Sequence, residues 1–258
     1  MVSMISPSDM EKKDLLWFGA SVAGPAHQEA NMPCQDAWAV GRWLDDERQP
    51  VVCGVVCDGL GSRPLARQGA LAGIRAAKAA ARQWARAPDA PVSLLVRLLE
   101  VLWRLEVAPA PAVDCATTCL ILLVLPGSEE RRVVGCVLGD GLAVVETIDG
   151  IKTLGGRLPG LFSNETLALG TVHHMNDWQI LDLKTPGQLR VLLLSDGIAD
   201  DVPTEHVASF LSWGNEFETR SPKGRGRALR RALERWPVPG HTDDKTLVYM
   251  RLEGMGQQ

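Results

Sequence analysis

Short apolar runs, most of them broken by glycine or acid, alternate with two long stretches of helical spacing. Residues 51–57 (VVCGVVC) are β-branched at most positions, which suits a strand in the middle of a sheet. Comparable runs lie at 17–23, 38–40, 115–125, 131–141 with its continuation over 142–150, 178–183, 189–194 and 245–252. Residues 43–50 read as a charged hairpin turn, and Asp149-Gly150 marks another turn. Between the strands, 64–87 is rich in Ala and Arg and has Pro64 at its first turn, the signature of a long helix. Its Gly69, Ala70, Gly73, Ala77 and Ala80 predict close packing against a neighbour. A second helix is predicted over 91–107, where Leu94, Leu95, Leu98, Leu102 and Leu105 form an apolar stripe that reads as core. The break at 87–90 is short, so the two helices are expected to pack antiparallel. An amphipathic helix is predicted over 203–213. A basic one follows over 223–235, its arginines forming a solvated face.

The remaining segments read as connections. Residues 1–14 form a loose leader, 24–37 a polar loop, and 151–177 an irregular, glycine- and histidine-rich insertion over one edge of the site. No linker is long enough to divide the chain, so 15–258 is expected to be one domain.

Composition narrows the function. The chain has 258 residues, 46% hydrophobic and 22% charged, enough for a large core. Its net charge of −4 argues against nucleic acid as a partner. No apolar run is long enough to span a bilayer, and the N-terminus lacks an apolar signal region. The six cysteines contain no CxxC pair and mostly lie in or beside strands, so they read as buried reduced thiols of a cytoplasmic protein rather than a zinc site.

The chemistry is concentrated in acids. Three apolar strands end alike: VVCDG at Asp58, CVLGDG at Asp140 and LLLSDG at Asp196. Asp243-Asp244 immediately precedes the last strand, and Asp36 begins a strand beside Asp58. One strand ending in Asp-Gly is a turn; three of them, with the acidic pair and Asp36, place carboxylates together at one end of a β core. Crowded carboxylates need raised pKa values or a cation. No Lys or Arg stands beside them in these motifs, and the donors are all oxygen, which suits Mg²⁺ or Mn²⁺. The residues therefore point to a metal-dependent hydrolase of phosphate esters.

QDA, DGLGS, CATTC, GDG, SDGIAD and DDKT, in that order, resemble the PP2C (PPM) family of Mg²⁺/Mn²⁺-dependent serine/threonine protein phosphatases. The opening SVAGPAHQEANMPCQDA is similar to a bacterial branch of it, and the resemblance spans roughly 17–252. It implies an α+β fold, an α-β-β-α sandwich of two antiparallel sheets with helices outside. It implies two metal ions, bridged by Asp58, with the Gly59 carbonyl on the second and Asp196 and Asp243 completing the first. Asp36 would reach the metals through water. Asp140 and Asp200 would join Asp196 at a third ion, as in many bacterial members. A metal-activated water would attack phosphorus with no phosphoenzyme. The expected partners are a phosphoprotein substrate and a cognate kinase, the expected state a monomer.

The sequence departs from the family pattern at Gln35, at Gly141-Leu142, at Asp244 and at His27, which stands where the family has a phosphate-binding arginine. His27 reads as a phosphate ligand, as a proton donor to the leaving group, or as a loop residue with a structural hydrogen bond. His173, His174 and His241 read as loop residues. Two alternatives stay open: a catalytically silent scaffold that binds a phosphoprotein or kinase, and a small-molecule phosphate hydrolase.

Overall fold

The computed structural model describes residues 15–156, 166–238 and 240–254; the 1–14 leader and part of the 151–177 stretch lie outside them. In chain order the elements are β1 (Leu15–Val22), α1 (Pro25–Glu29), β2 (Ala37–Leu44), β3 (Pro50–Cys57), α2 (Ala66–Trp84), α3 (Val92–Val107), β4 (Cys119–Leu125), β5 (Arg131–Leu138), β6 (Leu142–Thr147), β7 (Gly150–Gly155), β8 (Gln179–Thr185), β9 (Leu189–Leu194), α4 (Asp196–Ala199), α5 (Val207–Gly214), α6 (Pro222–Glu234) and β10 (Lys245–Leu252). They build two five-stranded sheets, ordered β1-β10-β9-β6-β7 and β2-β3-β4-β5-β8, with every pairing antiparallel.

The two-residue period of β3 explains the layering. Val52 and Val56 face the other sheet, packing in one cluster with Leu193, Val248 and Met250. Val51, Val55 and Cys57 face the opposite way, into a cluster with Ala70, Ala77, Leu95 and Trp103 of α2 and α3. A third cluster packs the outer face of the β1-containing sheet against Leu211, Leu229 and Leu233 of α5 and α6. The result is the expected α-β-β-α sandwich.

Helices α2 and α3 run antiparallel. The indole of Trp84 at the end of α2 donates to the Pro91 carbonyl, while Trp103 near the end of α3 donates to the Gly69 carbonyl at the start of α2. Gly69 lets the turn that precedes β4 approach α2 as well: a Cβ there would fall 1.6 Å from the Cys115 carbonyl oxygen.

Several expectations are corrected. The inward face of α3 is Val92, Leu95, Val96, Leu99, Trp103 and Val107; Leu94 and Leu105 point to solvent. Residues 150–155 are strand β7, hairpinned onto β6, not irregular insertion. Strand β4 starts at Cys119, and the residues before it form a short 3₁₀ turn and an extended crossing. The polar loop contains α1, and β2 extends to Leu44. Helix α5 starts at Val207, after a 3₁₀ turn. Cys53, Cys57, Cys115, Cys119 and Cys136 are buried and Cys34 is partly buried, all unbridged. Among the described residues, no helix is long and apolar enough to cross a membrane.

Candidate active site

A cleft of about 740 Å³ opens at one end of the sandwich, lined by Asp58, Asp140, Asp196, Asp243, Asp244 and His27 among others. Each acid arrives from a rigid element. Asp58 follows β3, and its backbone is clamped by the two threonines before β4. Its N–H donates to Thr118 Oγ1 (3.1 Å), and its carbonyl accepts from the Thr118 N–H and the Thr117 hydroxyl, both at 2.8 Å. Gly59 permits the turn that follows, since a Cβ there would sit 2.5 Å from the Ala66 carbonyl at the start of α2.

Asp36 enters just before β2. Its Oδ2 accepts from Ser195 Oγ (2.9 Å), whose oxygen in turn accepts from the Thr246 N–H (2.9 Å). Asp196 opens α4 directly after β9, and Asp200 sits one turn later, its N–H donating to the Asp196 carbonyl. Asp140 accepts from the Thr166 hydroxyl (3.1 Å). Asp243 accepts from the Asp244 N–H (2.8 Å), and its carbonyl accepts from Lys245 Nζ (2.9 Å).

The electrostatics show how closely the acids are gathered. Burial pushes the Asp36 carboxyl up to about 7 and the Asp196 carboxyl up to about 6. Burial also raises Asp58 well above the carboxylate range, reinforced by the charges of Asp36 and Asp196. The charges of Asp140, Asp243 and Asp200 act on Asp196 as well. Asp36 Oδ1 and Asp196 Oδ1 are buried with no hydrogen-bond partner, as is Gln35 Oε1 on the adjoining loop. Orphaned carboxylate oxygens inside a ring of like charge fit a hard divalent cation. Among the described residues, no three His, Cys, Asp or Glu side chains form a closed coordinating group. The acids instead border an open cleft, the arrangement Mg²⁺ takes when it keeps several waters and binds one or two carboxylates.

The sequence marks Asp244 as half of an acidic pair and as a departure from the family pattern, and its place here is central. Its buried carboxylate accepts from the Gly24 N–H (2.7 Å), the Gln35 N–H (2.5 Å) and His27 Nδ1 (2.8 Å). With Asp244 already accepting two N–H bonds, Nδ1 carries the proton, and Nε2 is left as the ring nitrogen available to the cleft. Of the other histidines, His241 is bonded to Asp201 and His173 to Glu100. Arg63 lines the cleft too. It directly follows DGLGS, and that proximity to Asp58 was its signal in the sequence; Lys245 directly follows Asp244, so the expectation that no Lys or Arg stands beside these acids in the motifs is corrected.

A two-sheet sandwich with acids converging at the strand ends defines a fold and a site together. The chain belongs to the protein phosphatase 2C family, whose model matches residues 23–236. Solved structures share the fold. One is the catalytic domain of the serine/threonine protein phosphatase PstP in complex with two manganese ions (TM-score 0.58, 15% identity, covering 93% of this chain and 99% of that one). Another is RsbX in complex with magnesium (TM-score 0.58, 15% identity, 93% and 96% covered). A third is a bacterial serine phosphatase (TM-score 0.59, 17% identity, 94% and 99% covered). Comparison with curated protein sequences returns no match.

Proposed function

We propose that the chain hydrolyses phosphoserine and phosphothreonine esters of proteins with the help of Mg²⁺ or Mn²⁺, acting within one phosphatase domain over 15–258. The observation that carries this reading is the buried, uncompensated group Asp36–Asp58–Asp196 at the head of an open cleft. Asp58, Asp196, Asp243 and the Gly59 carbonyl would hold two ions, with Asp140 and Asp200 available for a third. Asp36, fixed by Ser195, would act on them through water. Divalent ions in such a site neutralise phosphoryl charge and acidify water.

The chain's own residues do the rest. The Thr117–Thr118 clamp holds Asp58 in place through the reaction, so the acid array is preorganised. His27, oriented through its Nδ1–H by Asp244, would act as the imidazolium, giving the Nε2 proton to the departing serine or threonine oxygen and reverting to the neutral Nδ1–H ring; that oxygen is a leaving group too basic to depart unprotonated. The PstP structure, with its two manganese ions, supports the ion count by likeness of fold. A phosphoprotein and the kinase that modifies it are the corresponding partners.

The test is phosphate release from a phosphothreonine peptide and from an aryl phosphate, with Mn²⁺, Mg²⁺ or EDTA, for wild type and Asp58→Asn. Metal-dependent release that disappears in the variant supports the proposal. A folded wild type that binds Mn²⁺ yet releases no phosphate from either substrate overturns it.

A further inference from the structure

We propose that Arg63 is the anchor for the substrate's phosphoryl group, a role that rests on the phosphatase reading of this cleft. Among the described residues lining the cleft, Arg63 is the one Lys or Arg. Five aspartates, Asp58, Asp140, Asp196, Asp243 and Asp244, border the same space, yet no ion pair among the described residues ties Arg63 to any of them. Its Nε is buried and has no hydrogen-bond partner. A buried donor without a partner is costly, and one held beside a cleft calls for a ligand that restores the bond.

The backbone under it is fixed. The Arg63 N–H donates to the Leu60 carbonyl (2.8 Å), and the Leu60 N–H donates to the Ala116 carbonyl (3.0 Å). The Leu65 N–H donates to the Asp114 carbonyl (2.9 Å), and Pro64 restricts the backbone between them. The turn that carries Asp58 and Gly59 therefore also carries Arg63, on the same braced segment.

The chemistry selects the ligand. A guanidinium presents a planar fork that matches two phosphate oxygens, a geometry no other side chain at this cleft offers. Arg63 and His27 then divide the work: Arg63 holds non-bridging oxygens, and His27 serves the bridging one. The phosphate contact expected at the position of His27 is thus supplied from the opposite side of Asp58 in sequence. The class of ligand is a phosphate monoester dianion, with free phosphate as the product bound by the same fork.

The experiment measures inorganic phosphate binding by calorimetry to the Mn²⁺-loaded protein, together with steady-state kinetics on a phosphothreonine peptide. It compares wild type, Arg63→Lys and Arg63→Ala, and titrates Mn²⁺ alone into each. Loss of a charge-assisted fork predicts that Arg63→Ala raises both the phosphate Kd and KM by about tenfold or more, with a smaller change in kcat. Arg63→Lys falls between, and Mn²⁺ affinity stays at the wild-type value in both. Unchanged phosphate Kd and KM in Arg63→Ala overturn the proposal, as does weakened Mn²⁺ binding in the folded Lys variant, which would make Arg63 a support of the acid array. If wild type binds phosphate but hydrolyses no peptide, the phosphatase reading fails while the Kd comparison still decides the anchor.

Discussion

Asp36, Asp58 and Asp196 at the cleft and the paired acids Glu100 and Asp182 are the same chemical groups in one fold, and their carboxyls shift in opposite directions. Glu100 accepts from His173 Nε2 (2.9 Å) and the Trp178 indole (3.0 Å), and the histidine bond lowers its pKa. Asp182 is gripped at both oxygens by Arg132, with the same result. Asp36, Asp58 and Asp196 are buried among one another instead and are raised. The paired acids have their cation within the fold, so they serve its stability. The cleft acids are held without one, which is stability given up for a site that takes its cation from solution.

Asp58→Asn should break the contrast most severely. Metal-dependent phosphate release is expected to fall on the order of 10³-fold, as when a major electrostatic contributor is removed. The metal-free variant should nevertheless melt at a higher temperature than wild type, because one buried like charge is gone. A lower Tm for the metal-free variant would show that Asp58 is not strained in the way described.

Asp244→Asn sharpens the roles at the rim. The amide can no longer fix the His27 tautomer as a carboxylate does, so turnover of the phosphothreonine peptide should drop roughly 10²-fold. An aryl phosphate, whose leaving group needs little protonation, should lose far less. Equal losses on both substrates would separate His27 from proton transfer.

Metal-free melts across pH read the two groups of acids directly. For Asp36 and Asp196 the folded pKa lies above the unfolded one, so the native state binds more protons between about pH 4 and 7. Their contribution to stability therefore falls as pH rises through that window, and Mn²⁺ should cancel the fall. The Glu100–His173 pair behaves otherwise. The lowered Glu100 contributes above the ordinary carboxylate pKa and loses its contribution as pH falls through its folded pKa. The raised His173 contributes below the ordinary imidazole pKa and loses its contribution as pH rises through its folded pKa. A melt series in Asp36→Asn, which removes one of the titrating groups, should reduce the first dependence and leave the second.

The smallest effect belongs to Glu100→Gln. Loss of the charge facing His173 is expected to cost about 1 kcal/mol, or a Tm fall of roughly 2–4 °C. Mn²⁺ affinity should not move, and a change in it would link this pair to the cleft.

The strand-end acids were legible in the sequence because each combines an apolar run, an Asp and a following Gly, three signals that lie side by side. Gathering them at one site needed only that the strands of both sheets end at the same end of the sandwich. The inward face of α3 was misread because leucine was taken as the marker of burial, whereas Val92, Val96, Trp103 and Val107 take inward positions and Leu94 and Leu105 do not. Strand β7 was invisible because an edge strand leaves most of its side chains in solvent, so Lys152 and Thr153 carry no apolar signal. The Asp244 clamp joins residues more than 200 positions apart, and no local pattern encodes such a bond.

Strand β1 pairs along its whole length with β10, from Leu15 opposite Leu252 to Val22 opposite Lys245. During synthesis, β1 must therefore wait for β10 before it has a neighbour in its sheet. The segment bearing His27 and Asp36 waits with it, since Asp244 and Ser195 hold them. A nascent chain that has produced Asp58 and Asp196 but not β10 holds these carboxylates without His27 fixed beside them. Competence then arrives late and all at once, on closure of a loop that spans almost the whole molecule, the slowest kind of contact for a polypeptide to make.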